Sequence, residues 1–492
     1  MNKKIILTIL YLIPVLALAQ HRGDNLSFQG IPLRNDVGVK AMAMGSAYTS
    51  LGGDIDALFH NPAGLAEISN LQLSIEANNY SRSWRENQVY KPNRMFWTMS
   101  FYLEGLYTPD PKNNGVWDYE LAQDSAYIVT PPELGLEPFS EEAADWQENV
   151  NDFGLSNIAA AYPINILGKQ LVVSAAYYRN AYLDFDRNDT YLDPHIGYDA
   201  YGVIERVVTD TVRFTWSRFT RKRNGDVNNF VIGFAYNINE KLKVGIALNM
   251  VNGEADDFQS LDKVGYFDIA KDNRFRFSYD TLNISINGNS KFEAMDFNVG
   301  AILNLNRIRL GFNIVTPYTL NRDWNYTIVT TDTSGSLTTK NSGTDKFEIP
   351  ATLCLGASIT PVNPFTISFG YQFTNYSQGT FKLSSADSTH RDWVDQDELR
   401  LGIEYRPLDF LSLLAGYRYL REIFVPDGAA IRDRGPAATS YTLGASIKLL
   451  QSSRLDFAYE IRRLKYHDSY FSNTNYVFEA FNNLLLGYTI NF

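Results

Sequence analysis

The sequence predicts an all-β protein: a transmembrane antiparallel β-barrel of about 14 strands with a small N-terminal helical plug in its lumen. Three observations predict it. The chain opens with an export signal and carries no later apolar run of the roughly 18–20 residues that a spanning helix needs. Its final residues alternate between apolar and small or polar side chains. Between the two ends, strand-like runs recur in pairs joined by very short turns.

The first element is Met1–Gln20. Lys3 and Lys4 supply a basic start, Ile5–Leu16 an apolar run, and Ala17-Leu18-Ala19 a small-residue cleavage site. Residues 1–19 therefore read as a signal peptide, and no Cys follows the site to anchor a lipid. Residues 20–70 differ from everything after them. They are rich in Gly, Ala and Met, as in Val39–Tyr48 and Leu51-Gly52-Gly53-Asp54. Asp54 is placed to cap a short helix over Ile55–His60, and Asn61-Pro62 ends it, because a residue before proline is pushed out of the helical region. A segment this small cannot bury a core of its own. It needs a larger host, and a barrel lumen provides one.

Residues 71–492 are expected to form the barrel, with long extracellular loops. Leu71, Leu73, Ile75 and Ala77 alternate in the first strand. Six hairpins follow: Leu155–Pro163 with Leu171–Arg179, Asn229–Ile238 with Leu242–Asn249, Phe297–Leu303 with Ile308–Val315, Ala351–Ile359 with Phe365–Phe373, Glu398–Tyr405 with Leu411–Tyr419, and Tyr441–Leu449 with Arg454–Ile461. In the last strand, Leu484, Leu486, Tyr488, Ile490 and Phe492 share one face. One initial strand, six pairs and a final strand give an even count, as bacterial barrels have. Arg94–Leu103 also has strand character and challenges that count. Short turns at one end and long polar segments at the other are the barrel signature. The expected long loops are Tyr107–Asp152, Ala181–Asp226, Asn252–Ala294, Tyr318–Lys346, Tyr376–Asp397, Glu422–Ala438 and Lys465–Asn475.

Composition narrows the function. Aromatic residues make up 14%, with 31 Tyr and 30 Phe, which suits two interfacial girdles. The net charge of −11 argues against a nucleic-acid partner. Cys354 is the single cysteine and reads as an inert small residue, in the core or facing lipid. His21, His60, His195, His390 and His467 are scattered, with no His-Glu-x-x-His spacing. Neither a Gly-x-Ser-x-Gly elbow nor an Asp-x-Asp-x-Asp-Gly calcium loop is present. Catalysis, a metal and a cofactor are therefore not expected. Arg221-Lys222-Arg223 reads as surface charge near lipopolysaccharide rather than as a headgroup site.

The stretch Asp54–Ala66, with Asn61-Pro62-Ala63 at its centre, resembles the N-terminal plug of the FadL/TodX family of outer-membrane transporters for long-chain fatty acids and other hydrophobic compounds. Ala41–Tyr48 resembles that family's lead-in to the motif, and the terminal Phe492 its assembly signal, here Tyr488, Ile490 and Phe492. The resemblance spans Val37–Leu73 and is one of pattern beyond it. It implies a fourteen-stranded barrel integral to the outer membrane, with the plug inside. It further implies a hydrophobic small molecule that enters from outside, occupies an apolar site and leaves sideways into lipid. Met42, Met44, Leu58 and Phe59 are candidates for lining that site, or alternatively anchors of the plug to the wall. The implied partners are outer-membrane lipid and the barrel-assembly machinery, with a monomer as the working form. The long polar loops also fit a second function: a PorV-like surface component of a protein secretion system. A simple diffusion porin is a third.

Overall fold

The alternation in the sequence is realised as one antiparallel sheet closed on itself. The computed structural model describes residues 37–90, 137–144, 146–166, 169–183, 185–196, 211–270, 275–279, 282–384, 393–450, 452–470 and 473–492. The expected signal peptide, the part of the expected plug before Val37 and the strand-like run Arg94–Leu103 lie outside the described residues.

Nineteen strand segments are present in the sheet, and five consecutive pairs continue one another along the same neighbours, leaving fourteen barrel strands. They are β1 (Gln72–Tyr90), β2 (Trp146–Ile166), β3 (Lys169–Tyr182, continued by Phe185–Ile196), β4 (Thr211–Asn237) and β5 (Leu242–Ala270). Then come β6 (Phe275–Tyr279, continued by Asn283–Leu305), β7 (Ile308–Val315, continued by Tyr318–Asp332), β8 (Gly335–Ile349, continued by Thr352–Val362) and β9 (Phe365–Thr374, continued by Thr380–Lys382). The circuit finishes with β10 (Gln396–Leu408), β11 (Leu411–Arg421), β12 (Ala437–Leu450), β13 (Ser453–Tyr470) and β14 (Asn473–Asn491). Closure comes from β1 pairing with β14, from Gln72 opposite Asn491 to Tyr90 opposite Asn473. That ladder removes the open edge that a sheet in lipid cannot tolerate. All six hairpins read from the sequence are present, and the strand count agrees.

Each strand sorts its side chains by face. On β6, Met295, Phe297 and Val299 point outward with about half their surface exposed, while Asp296 and Asn298 between them are buried. This outward apolar run continues to Leu305, close to the roughly 9–11 residues a tilted strand needs to cross hydrocarbon. On β14, Leu486 and Tyr488 face outward and Asn483, Leu485, Gly487 and Thr489 inward, as the alternation predicts. Cys354 is buried and faces the lumen, not lipid, between Asn313 and Gln372 on the adjacent strands.

The turns at one end are tight. Asn239 Oδ1 accepts from the backbone N–H of Lys241 and Leu242, each at 2.9 Å, and Asn306 sits at φ 60°, a conformation asparagine tolerates. The other end differs from expectation. Much of the sequence expected as long loops continues as strand: β4 and β5 stay paired from Asn237 opposite Lys243 to Thr211 opposite Ala270, and β7 and β8 to the turn between Asp332 and Gly335. Polar residues on the outer face hid these extensions from a lipid-facing pattern, because that part of the barrel stands beyond the hydrocarbon.

The lipid face gives a direct test. Val299→Arg places a charge near the middle of the outward run and should cost about 2–4 kcal/mol of barrel stability in vesicles, read by chemical unfolding. An unchanged unfolding midpoint would place that face away from lipid.

Candidate functional site

The bore is stoppered by residues 37–70, built from α1 (Val39–Ala43), α2 (Ala57–His60) and a 3-10 helix over Pro62–Glu67. Pro62 forces Asn61 into an extended conformation (φ −155°, ψ 102°), which ends α2. The freed asparagine then does two things. Its Oδ1 accepts from Ala63 N at 3.1 Å, capping the 3-10 helix. Its Nδ2 donates to Thr49 O at 2.7 Å and reaches the carbonyls of Ala301 and Phe312, on β6 and β7, at 3.2 Å each. One side chain thus ties the plug to itself and to the wall.

Asp54 does not cap a helix, contrary to the sequence expectation. Better partners hold its carboxylate: Tyr48 OH donates to it at 2.6 Å, with Lys40 Nζ at 3.5 Å and Arg454 of β13 at 3.8 Å. Asp56 instead receives the backbone N–H of Ala41 at 3.0 Å. At the turn end of the barrel, Glu67 is clasped by Lys243 of β5 and Arg309 of β7.

The plug touches a wall from which side chains have been removed. Glycines at plug level occur on every strand from β4 to β12, and again on β14: Gly233, Gly245, Gly300, Gly311, Gly356, Gly370, Gly402, Gly416, Gly444 and Gly487. At each of these except Gly370, a Cβ would lie under 3.0 Å from a plug atom. The contacts run in order around the barrel. Val39 meets β14, Ala43 meets β12, Gly45 meets β11, and Met44 meets β10. Thr49 and Ser50 meet β7 and β8, Asn61 meets β6, Pro62 and Ala63 meet β5, and Leu58 meets β4. Glycine is disfavoured in strands unless another backbone must come close, which is the case here. Thr442 completes the seat, accepting from Gly45 N and donating to Ala43 O, both at 3.0 Å.

The proposed lining residues sit within this arrangement. Met42, Met44 and Leu58 are buried between plug and wall, Met44 on Gly402 and Leu58 on Gly233. Phe59 is half-buried and meets Tyr178 of β3 edge-on, with ring centroids 5.2 Å apart.

Two zones lie above the plug. The lower one is polar, carrying Asn229, Asn249, Asp296, Asn298 and Asn313 on β4–β7 and an ionic chain of Glu398, Arg400 and Arg418 on β10 and β11. The upper one, in the part of the barrel beyond the lipid belt, is apolar and aromatic. Phe292, Phe347, Phe381, Tyr376 and Trp393 pack there with Leu320, and the Phe381 and Trp393 rings stand 4.4 Å apart. Sequence reading missed this cluster, although its strand members fall on the inward register of β6–β9. Arg221 and Arg223 also turn inward and are fully buried, so only Lys222 of that triplet is surface charge. Arg223 grips Asp257 through two bonds of 2.6 and 2.8 Å. Arg322 bonds Asp345 at 2.6 Å and Ser290 at 3.0 Å, and Ser290 and Tyr326 both donate to Asp257. Burial pushes the Asp257 carboxyl up, but Arg223, with Arg322 and Ser290, outweighs it and holds the group below the ordinary carboxylate range.

The wall has one lateral gap among the described ladders. β2 pairs with β1 from Ala161 opposite Gln72 up to Trp146 opposite Glu86, and β3 pairs with β4 past Tyr182 opposite Asp226 to Ile196 opposite Val212. Between β2 and β3, however, the ladder runs only from Ile166–Lys169 to Asn157–Tyr178. Above that point the strands part, at the level where Phe153 and Leu155 of β2 face outward. Arg179 crosses the gap to Asp152 at 2.7 Å and approaches Asp226 at 3.5 Å.

The model of one protein family, described as outer membrane protein transport protein (OMPP1/FadL/TodX), matches residues 213–483, more than half of the chain. The match begins well after the Asn61-Pro62-Ala63 motif. Solved structures share the fold. A FadL homologue from Pseudomonas aeruginosa is 13% identical with a TM-score of 0.59, over 94% of this chain and 99% of that one. The toluene transporter TbuX of Ralstonia pickettii is 16% identical with a TM-score of 0.54, over 94% and 99%. The toluene transporter TodX of Pseudomonas putida is 12% identical with a TM-score of 0.54, over 94% and 100%. No curated protein sequence matches.

Two outcomes follow from the seat and the outer clasp. Gly300→Val should overlap Asn61 and unseat the plug, so that thermolysin cuts within residues 37–70 while the barrel stays heat-stable; a resistant plug would contradict the close seat. The Asp257 contribution is complete above the ordinary carboxylate value of about 3.9 and is lost as pH falls through its lower folded value. Cleavage of the Tyr318–Ile349 hairpin should therefore stay constant from neutral pH down to that range and rise only below it. Asp257→Asn should raise it already at neutral pH.

Proposed function

The chain belongs to the OMPP1/FadL/TodX family of outer-membrane transport proteins and is integral to the outer membrane, and we infer that it takes up hydrophobic compounds through its plugged barrel. The observation that carries this reading is the β2–β3 gap above a stoppered bore. A water-soluble solute gains nothing from a side opening into hydrocarbon. A hydrophobic one does, since each Å² of apolar surface kept from water is worth about 25 cal/mol. The aromatic cluster in the outer barrel would receive such a molecule first. Related folds include toluene transporters and a monoaromatic hydrocarbon channel, which supports small hydrophobic cargo.

In this reading Asn61-Pro62-Ala63 is the hinge point of the plug, because Asn61 bonds both plug and wall. Met42, Met44 and Leu58 act as anchors, packed onto bare wall, and Phe59 beside Tyr178 is the member of that set facing the cargo path. Tyr488, Ile490 and Phe492 serve as the assembly signal for the barrel-assembly machinery, and the working form is a monomer without catalytic activity or cofactor. The family and the related folds are transporters and channels, so the secretion-partner alternative is not favoured.

Side exit is testable without disturbing the plug. In a Cys354→Ser background, a short bismaleimide joining Asp152→Cys to Arg179→Cys should close the gap and reduce uptake of labelled toluene at least about tenfold, a barrier change of roughly 1.4 kcal/mol. Either cysteine alone should have little effect. Undiminished uptake in the cross-linked protein would contradict lateral exit.

A further inference from the structure

The inner wall beside the gap has a chemistry that pure hydrocarbon cargo does not explain. Asn229, Asn249, Asp296, Asn298 and Asn313 are each at least nine-tenths buried and all face the lumen. The ladders place them together. Asn249 is opposite Asp296, Asn298 lies two residues along the same face, and Gly300 next on that face is opposite Asn313. Tyr178, at the last rung before the gap, is opposite Asn229 and joined to it by a 2.9 Å hydrogen bond. Asn249 donates to Asp296 at 2.9 Å. Among the described residues, the Oδ1 atoms of Asn229, Asn298 and Asn313 accept no hydrogen bond.

Buried acceptors left unmatched cost about 1–3 kcal/mol each. A toluene-like molecule against this wall would leave them so. A molecule carrying a hydroxyl would satisfy one. A carboxylate would be opposed by Asp296, and the cations of this zone, Arg400 and Arg418, are already paired with Glu398 on β10 and β11. We propose that this amide patch on β4–β7 binds the hydroxyl of an uncharged, hydroxyl-bearing hydrophobic molecule, a phenol or alcohol, on its way to the β2–β3 gap. This deepens the uptake reading and rests on it.

The test uses three molecules of one shape: p-xylene, p-cresol and p-toluate. Uptake by cells carrying the full chain, and calorimetric binding to the purified barrel, are measured for wild type and for Asn298→Leu and Asn229→Leu, each checked for heat-modifiable folding. The patch predicts that wild type favours p-cresol over p-xylene at least tenfold and excludes p-toluate. It predicts that either leucine variant narrows that preference mainly by losing p-cresol. Equal handling of p-xylene and p-cresol by wild type, preference for p-toluate, or an undiminished preference in both folded variants would overturn the patch while leaving hydrophobic uptake standing. Failure of wild type to take up any of the three would instead overturn the uptake reading itself.

Discussion

Everything inside this barrel depends on how closely one backbone can approach another. The plug is short, and its two α-helical turns cannot hold together alone. It is ordered because the wall offers it a surface without side chains, strand after strand, around most of the circumference. Backbone groups of the plug then reach wall hydroxyls and amides directly, as at Thr442, Ser368 and Asn237. Asn61 is the most connected of these ties, and Pro62 is what frees it to make them.

The seat also sets what the remaining lumen can do. With the bore closed at plug level, polar residues line the space just above, and apolar ones collect higher, beyond the hydrocarbon. That order inverts a water-filled pore. In the outer barrel an aromatic cluster shares the interior with buried ion pairs, as in a water-soluble barrel stacked on a membrane one. Its interior ion pairs are desolvated but fully bonded, as at Arg223–Asp257 and Arg322–Asp345, so they clamp neighbouring strands at their projecting ends.

Much of the frame was legible in the sequence because period-2 alternation is a local signal. The six hairpins, the closing strand and the end of α2 at Asn61 all follow from neighbours in the chain. What was not legible depends on partners far away. Asp54 has the spacing of a cap, yet Tyr48, Lys40 and Arg454 claim it. Arg221 and Arg223 look like surface charge until the register of β4 turns them inward toward Asp257 and its neighbours. The amide patch spans four strands and has no contiguous motif. The glycines were visible all along, one in strand after strand, but their meaning requires knowing that something presses against them. Asn-Pro-Ala pointed to the plug, whereas the match to the family lies elsewhere, over residues 213–483.

The most direct test of the stoppered, lipid-embedded cylinder is ion conductance of the purified full chain in a planar bilayer, with and without residues 37–70. The account predicts an almost silent protein when the segment is present and a steady, large conductance when it is removed. A full-length chain that conducts like an open pore, or a shortened one that stays silent while inserted, would contradict it.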